Sequence, residues 1–193
     1  MLAAAAEPSV RFESSRPHRA DDDEQALVNA ARSGDRAAFA RLHQRYAPMV
    51  HGIALARAPV SDAGDIVQDV FLQAMRTMHT LRDSAAIGPW LASIARNFAA
   101  ETCRRRKLTP TLALRNPVAS GFVPASHDEA ARILDVIRSL PETYSETLVL
   151  RLVEGLTGPQ IAACTGLTDG SVRVNLHRGM QLLREKLGRE FSS

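Results

Sequence analysis

Between Thr168 and Leu187 the apolar residues Val172, Leu176, Leu183 and Leu187 recur at helical spacing, leaving Asp169, Ser171, Arg173, Asn175 and Arg178 for the opposite face. That face carries the chemistry of base recognition. An arginine can donate two parallel hydrogen bonds to guanine, and an asparagine amide can pair with adenine, so Arg173 and Asn175 are the base-reading candidates. His177, Arg178 and Arg184 are better placed for phosphates. The preceding residues explain how such a helix would be held. In GPQIAACTGLTDGSVRVNLHRGMQLLREKL, residues 158–187, Ala162 faces a partner helix, Gly166 suits a left-handed turn, and Val172 fills the angle between two helices. Thr168 is placed to cap the second one. The segment from Leu156 to Leu187 therefore reads as a helix-turn-helix whose second helix would enter a major groove.

A second cationic feature is Arg104-Arg105-Arg106-Lys107, which follows Arg96 and Asn97 along one predicted helix. Groups for covalent chemistry are not assembled anywhere in the sequence. The six histidines are scattered without an acidic or cysteine partner at useful spacing, so no catalytic residue is expected. Cys103 and Cys164 form no CxxC pair and have no histidine at ligand spacing, which points away from a zinc site or a disulfide framework and toward a reducing compartment. No metal or other cofactor is expected. Cys103, beside three arginines, reads first as a half-buried structural cysteine and second as a reactive thiol.

The elements that must position these groups are helices. In 193 residues, 45% are apolar and only 5% aromatic, with Ala, Leu and Arg dominant, a helix-forming composition able to bury compact cores. The net charge of +3 is too small to argue for nucleic acid by itself. No run is long enough to span a membrane, and the N-terminus lacks a secretion signal, so a cytoplasmic location without membrane insertion is expected.

Residues 1–22 read as a disordered arm. A short helix around Leu27, Val28 and Ala31 stops at Ser33-Gly34, and Asp35 caps a second helix reaching about Arg57, with Phe39, Leu42, Tyr46, Val50 and Ile53 inward and a bend or loosening expected at Pro48. A third helix from Ser61-Asp62 turns Ile66, Val70, Phe71, Ala74 and Met78 inward. A fourth, Ile87 to Lys107, buries Leu91, Ile94 and Phe98. Residues 108–127, with three prolines and no sustained period, read as a flexible linker. Beyond it come a helix near Asp128 to Ser139, one opening at Pro141, and the helix-turn-helix. The expected fold is all-α: an N-terminal helical bundle over 23–107 and a C-terminal helix-turn-helix domain over 128–193.

Three further blocks give this order a meaning. Leu27 to Tyr46, the stretch DIVQDVFLQAMR from Asp65 to Arg76, and GPWLASIARN from Gly88 to Asn97 together strongly resemble the extracytoplasmic-function class of bacterial sigma factors, which direct RNA polymerase core to promoters. The resemblance covers about Asp23 to Leu187. It implies that Asp65, Gln68, Asp69, Phe71 and Arg76 dock on the polymerase core through its beta and beta-prime subunits. Arg82, Asp83 and Ser84, in a loop that captures a flipped base, would read the -10 element with Arg96, Asn97, Arg104, Arg105 and Arg106. Thr168, Ser171, Arg173, Val174, Asn175, His177 and Arg178 would read the -35 element. Trp90 would be a packing anchor.

The sequence departs from the family pattern at Leu81, where an aromatic is common, at Asn175, where arginine is common, and at Pro89, which restricts the end of the capture loop. The resemblance also implies an anti-sigma factor as a partner and a monomer when free of partners. The competing reading is a helix-turn-helix regulator that acts without core polymerase. It needs a sensor, and the N-terminal half shows no alternation of strands and helices that would build a phosphorylation pocket.

Overall fold

The computed structural model describes residues 17–108 and 125–190, with side chains described over 23–108 and 129–189. The described residues form eight α-helices and three short 3-10 turns, and no strand. The helices are α1 (Pro17–Arg32), α2 (Arg36–Arg57), α3 (Ala63–Thr77), α4 (Ile87–Leu108), α5 (Ala125–Arg138), α6 (Glu142–Leu152), α7 (Gly158–Thr165) and α8 (Asp169–Glu190). They make two helical domains, α1–α4 and α5–α8, as expected.

Two boundaries differ from the sequence reading. α1 starts at Pro17, eight residues before Gln25, so part of the expected arm is helical. A proline heads this helix where its missing N–H costs nothing, and the sequence before Leu27 carries no apolar period to reveal the added turns. Residues 1–16 lie outside the described residues. So do residues 109–124 of the expected linker; α5 begins at Ala125, three residues before the expected start.

Local signals end the helices where the sequence placed them. The chain turns at Gly34, and Asp35 Oδ1 then accepts from the backbone N–H of Ala37 at 2.8 Å and of Ala38 at 3.1 Å. These bonds satisfy orphan donors at the start of α2. α2 continues through Pro48 as one helix.

The N-terminal core forms where α2 packs on α3 and α4. Leu42, Met49, Val50 and Ile53 are buried against Ile66, Val70 and Leu91, and Phe71 meets the half-buried Phe39 edge to face at 6.3 Å. The inward residues expected from the period are buried, except that Phe39, Ile94, Phe98, Leu176 and Leu187 are only partly covered. In the second domain α6 lies against α8. A Cβ on Gly179 would stand 3.1 Å from Leu148 Cδ1, so this glycine permits the close approach.

Ile53, fully buried at the centre of α2, measures this packing. Ile53→Ala should lower the unfolding free energy by about 2–5 kcal/mol in urea titrations. Asp35→Ala should cost about 1 kcal/mol, since it removes only a cap. Equal effects would contradict the burial described here.

Candidate nucleic-acid interface

The helix-turn-helix is built by its own side chains. Thr157 and Gln160 form a capping box at the start of α7: Gln160 Oε1 accepts from the Thr157 N–H at 2.8 Å, and Thr157 Oγ1 accepts from the Gln160 N–H at 3.5 Å. Gly166 takes a left-handed φ of +76° at the end of α7, which a side chain would disfavour. Thr168 Oγ1 then accepts from the Ser171 N–H at 3.1 Å to open α8. Val172 is buried in the corner.

On the outer face of α8, Ser171, Arg173, Val174, His177 and Arg178 are exposed, with Thr168 beside them. Asn175 departs from the expectation that it shares this face. It is 8% exposed and lies with Val172, Gly179 and Leu183 on the buried stripe. The close seating of Gly179 on Leu148 draws that stripe toward α6, and Asn175 turns inward with it.

On the N-terminal domain, Asp65, Gln68, Asp69 and Arg76 lie exposed along α3. Phe71 is buried instead, its ring 4.3 Å from the His43 ring, and it floors a groove of about 260 Å³ that Phe39, His43, Gln68, Leu72 and Met75 also line. Leu72 and Met75 are 47% and 58% exposed. The sequence reading gave neither residue a role, although both fall outside the inward stripe of Ile66, Val70, Phe71 and Ala74, which is the signal that could have found them.

Beyond α3, Arg82 and Asp83 are exposed, and Asp83 caps the short turn before α4 by accepting from the Ala85 N–H at 3.0 Å. Ser84 donates to Asn29 Oδ1 at 2.9 Å, tying the loop to α1. Next to this tie, Asn29, Arg32, Ser33 and His79 line an open hollow of about 370 Å³. Nothing in the local sequence links α1 to this loop. Leu81, the departure from the usual aromatic, is buried at 5% exposure and serves the core. Trp90 packs half-buried against the core.

The cations of α4 are engaged to different degrees. Asn97 is exposed, and Arg104, Arg105 and Arg106 are exposed as well. Arg104 and Arg105 pair with Glu101, while Arg106 Nη2 reaches Asp62 Oδ1 at 2.6 Å. These surface pairs exchange readily with solvent and leave the guanidinium groups available to phosphate. Arg96 is different, because its fork closes on Glu146 of α6 with Nη2 to Oε1 at 2.7 Å and Nε at 3.2 Å from each oxygen. The pair joins the two domains across fifty positions of sequence.

Both cysteines are half-buried and pack against the core. Cys103 donates to the Arg57 carbonyl at 3.1 Å. Cys164, half-buried in α7, has its thiol pKa pushed up to about 11 by burial and, secondarily, by the charge of Glu24. The fold favours the protonated thiol, so this contribution to stability is complete below the ordinary 9.0 and is lost as pH rises through about 11. Thiolate is the reactive form. Alkylation of Cys164, followed by peptide mass spectrometry, should therefore be much slower near neutral pH in the folded chain than in urea; equal rates would refute this placement.

With this geometry in view, comparison with known proteins is informative. The pattern of sigma-70 region 2 matches residues 42–109, and that of sigma-70 region 4 matches residues 126–183. The RNA polymerase sigma factor CarQ of Myxococcus xanthus is 34% identical over 163 residues, covering 81% of this chain and 93% of its own. The ECF RNA polymerase sigma-E factor of Haemophilus influenzae is 29% identical over 180 residues, covering 85% and 95%. The solved structure of CnrH in complex with the cytosolic domain of CnrY is similar in fold, with a TM-score of 0.61 and 24% identity over 86% of this chain and 97% of that one.

Proposed function

Because the chain belongs to the sigma-70 family, in its extracytoplasmic-function class, we propose that it binds RNA polymerase core and directs promoter-specific transcription initiation from -10 and -35 elements. The observation that carries this reading is the order of the two sigma regions on one chain, over residues 42–109 and 126–183. In this reading the chain is a transcription initiation factor that works in the cytoplasm with the polymerase, and an anti-sigma factor controls its release.

The roles divide by surface. Asp65, Gln68, Asp69 and Arg76, with Leu72 and Met75 across the groove floored by Phe71, dock on the polymerase core. The mixture of exposed apolar and charged side chains suits an interface that must form and release. Arg82, Asp83, Ser84, Arg96 and Asn97 handle the -10 element, and Arg104, Arg105 and Arg106 hold backbone phosphates. Promoter opening requires a base to leave the stack at a cost of a few kcal/mol, which a protein pocket can offset by holding the extruded base. On α8, Thr168, Ser171, Arg173, Val174, His177 and Arg178 read the -35 element. Asn175 is left out of this set because its amide is buried.

The domains 17–108 and 125–190 act as two weak readers. Each raises the local concentration of the other once the polymerase holds both at one promoter. Run-off transcription with sigma-free core, followed by sequencing of the start sites, tests this. Promoter-dependent transcripts with shared upstream elements are expected, whereas a specific footprint by the chain alone would support a regulator that needs no core. Arg173→Ala should cost about 1–3 kcal/mol at the -35 element and relax the preference at one base pair. Asn175→Ala should lower thermal stability and leave that preference unchanged; a changed preference would return Asn175 to the reading face.

A further inference from the structure

The last turn of α1 sits beside the loop given the task of capturing a flipped base. α1 packs against the short turn Ser84–Ala86, where the Ser84 hydroxyl donates to Asn29 Oδ1 at 2.9 Å. Next to this tie lies the hollow of about 370 Å³ lined by Asn29, Arg32, Ser33 and His79. Its volume falls in the range of small-ligand clefts, about 300–1,000 Å³.

The hydrogen bonds already made decide what the hollow can still offer. Asn29 Oδ1 is taken by Ser84, which leaves the two amide N–H donors of Asn29 for a ligand. The Ser33 hydroxyl spends its proton on the Asn29 carbonyl at 3.1 Å. The carbonyls at the end of α1 are occupied as well, those of Asn29 and Ala30 by the Ser33 N–H and that of Ala31 by the Gly34 N–H. Arg32 is the one cation of the lining, which contains no carboxylate. The acidic groups flanking it in sequence, Asp35 and Asp83, accept from backbone N–H groups. Among the described residues, the Arg32 and His79 side chains have no hydrogen-bond or ion-pair partner.

A guanidinium for a phosphate, an aromatic ring for stacking and a pair of amide donors for a base edge are the parts that bind one nucleotide. We propose that this hollow holds a second nucleotide of the opened promoter strand, separate from the one taken by the capture loop. Arg32 meets its phosphate, the His79 ring lies on the face of its base, and the Asn29 amide donates to a base carbonyl. The inference rests on the promoter-opening role given to the chain above. In a duplex the face of each base is covered by its stacked neighbours, so a site built on a ring selects an unpaired strand. Because the amide offers donors only, thymine, which carries carbonyl oxygens, is preferred to adenine, which has none. Asn29 serves both places at once: its oxygen steadies Ser84 of the loop while its N–H groups meet the second base.

The test uses holoenzyme assembled from the full chain and sigma-free core. The probe is a labelled promoter whose -10 segment is held open by mismatches, with one nucleotide at a time replaced by an abasic unit. For the parent, two positions are expected at which the abasic unit weakens binding about tenfold, the scale of one stacked base. His79→Ala should erase the sensitivity at one of them and keep it at the other, and His79→Phe should restore it. Arg32→Ala should reduce the dependence of log affinity on log salt by about 0.7, the value for one lost phosphate contact. At the position that depends on His79, thymine should bind about fivefold more tightly than adenine, the scale of one neutral hydrogen bond, and Asn29→Ala should abolish that preference.

All three side chains are exposed, and circular dichroism checks that each variant retains its helices. A parent with fewer than two sensitive positions, or with two that both persist in His79→Ala, would overturn the second site while leaving the sigma-factor reading intact. Holoenzyme that binds the open promoter no better than core alone would overturn the sigma-factor reading itself.

Discussion

Six successive residues of α6, Ser145 to Leu150, are buried. A helix packed on one side buries a stripe and leaves the other side to solvent, so continuous burial requires neighbours on both faces. α8 covers one face, with Gly179 seated on Leu148 and Tyr144, and α2 covers the other, with Gly52 seated near Leu150. The remaining arrangement depends on this double packing. It orients α8 so that Arg173 and Arg178 look outward, and it brings the first domain against the second at the surface of α2 and α4 that carries Arg57 and Arg96.

The two faces of α6 differ in chemistry. Toward α8 the contact includes Gly179 seated on Leu148 and Tyr144, with no charged group among these, and the buried Asn175 lies on the same stripe of α8. Toward α2 it includes a buried carboxylate with two guanidinium partners, an arrangement that is expensive to desolvate and strongly destabilising to break on one side only. A contact of that kind is specific in register without being a source of great net stability, because water competes for every member once the domains part.

The functional surfaces inherit this division. Asp65, Gln68, Asp69, Arg76, Leu72 and Met75 of α3 are exposed with the domains together. Arg104, Arg105 and Arg106 are exposed too, in surface pairs that weaken with salt. Arg96 alone among the expected -10 contacts is committed to the other domain. With the domains together, the face proposed to dock on the polymerase stays exposed while one proposed DNA contact is engaged, an asymmetry that follows from which side of α4 faces α6.

Much of this was legible in the sequence because it is local. Helical period, the Asp35 and Thr168 caps, the Gly166 turn and the helix-turn-helix depend on residues within about one or two turns of each other, and their stereochemistry leaves few alternatives. The start of α1 was missed because its first turns carry no apolar stripe. Asn175 was misplaced because a residue beside the inward stripe can lie on either edge of it, and only the approach of Gly179 to Leu148 decides which. The link from Ser84 to Asn29, the groove under Leu72 and Met75, and the grip of Glu146 on Arg57 and Arg96 are set by tertiary structure alone. Their partners lie tens of residues apart, and charge spacing along the chain carries no information about which distant groups a packed helix will bring within hydrogen-bonding distance.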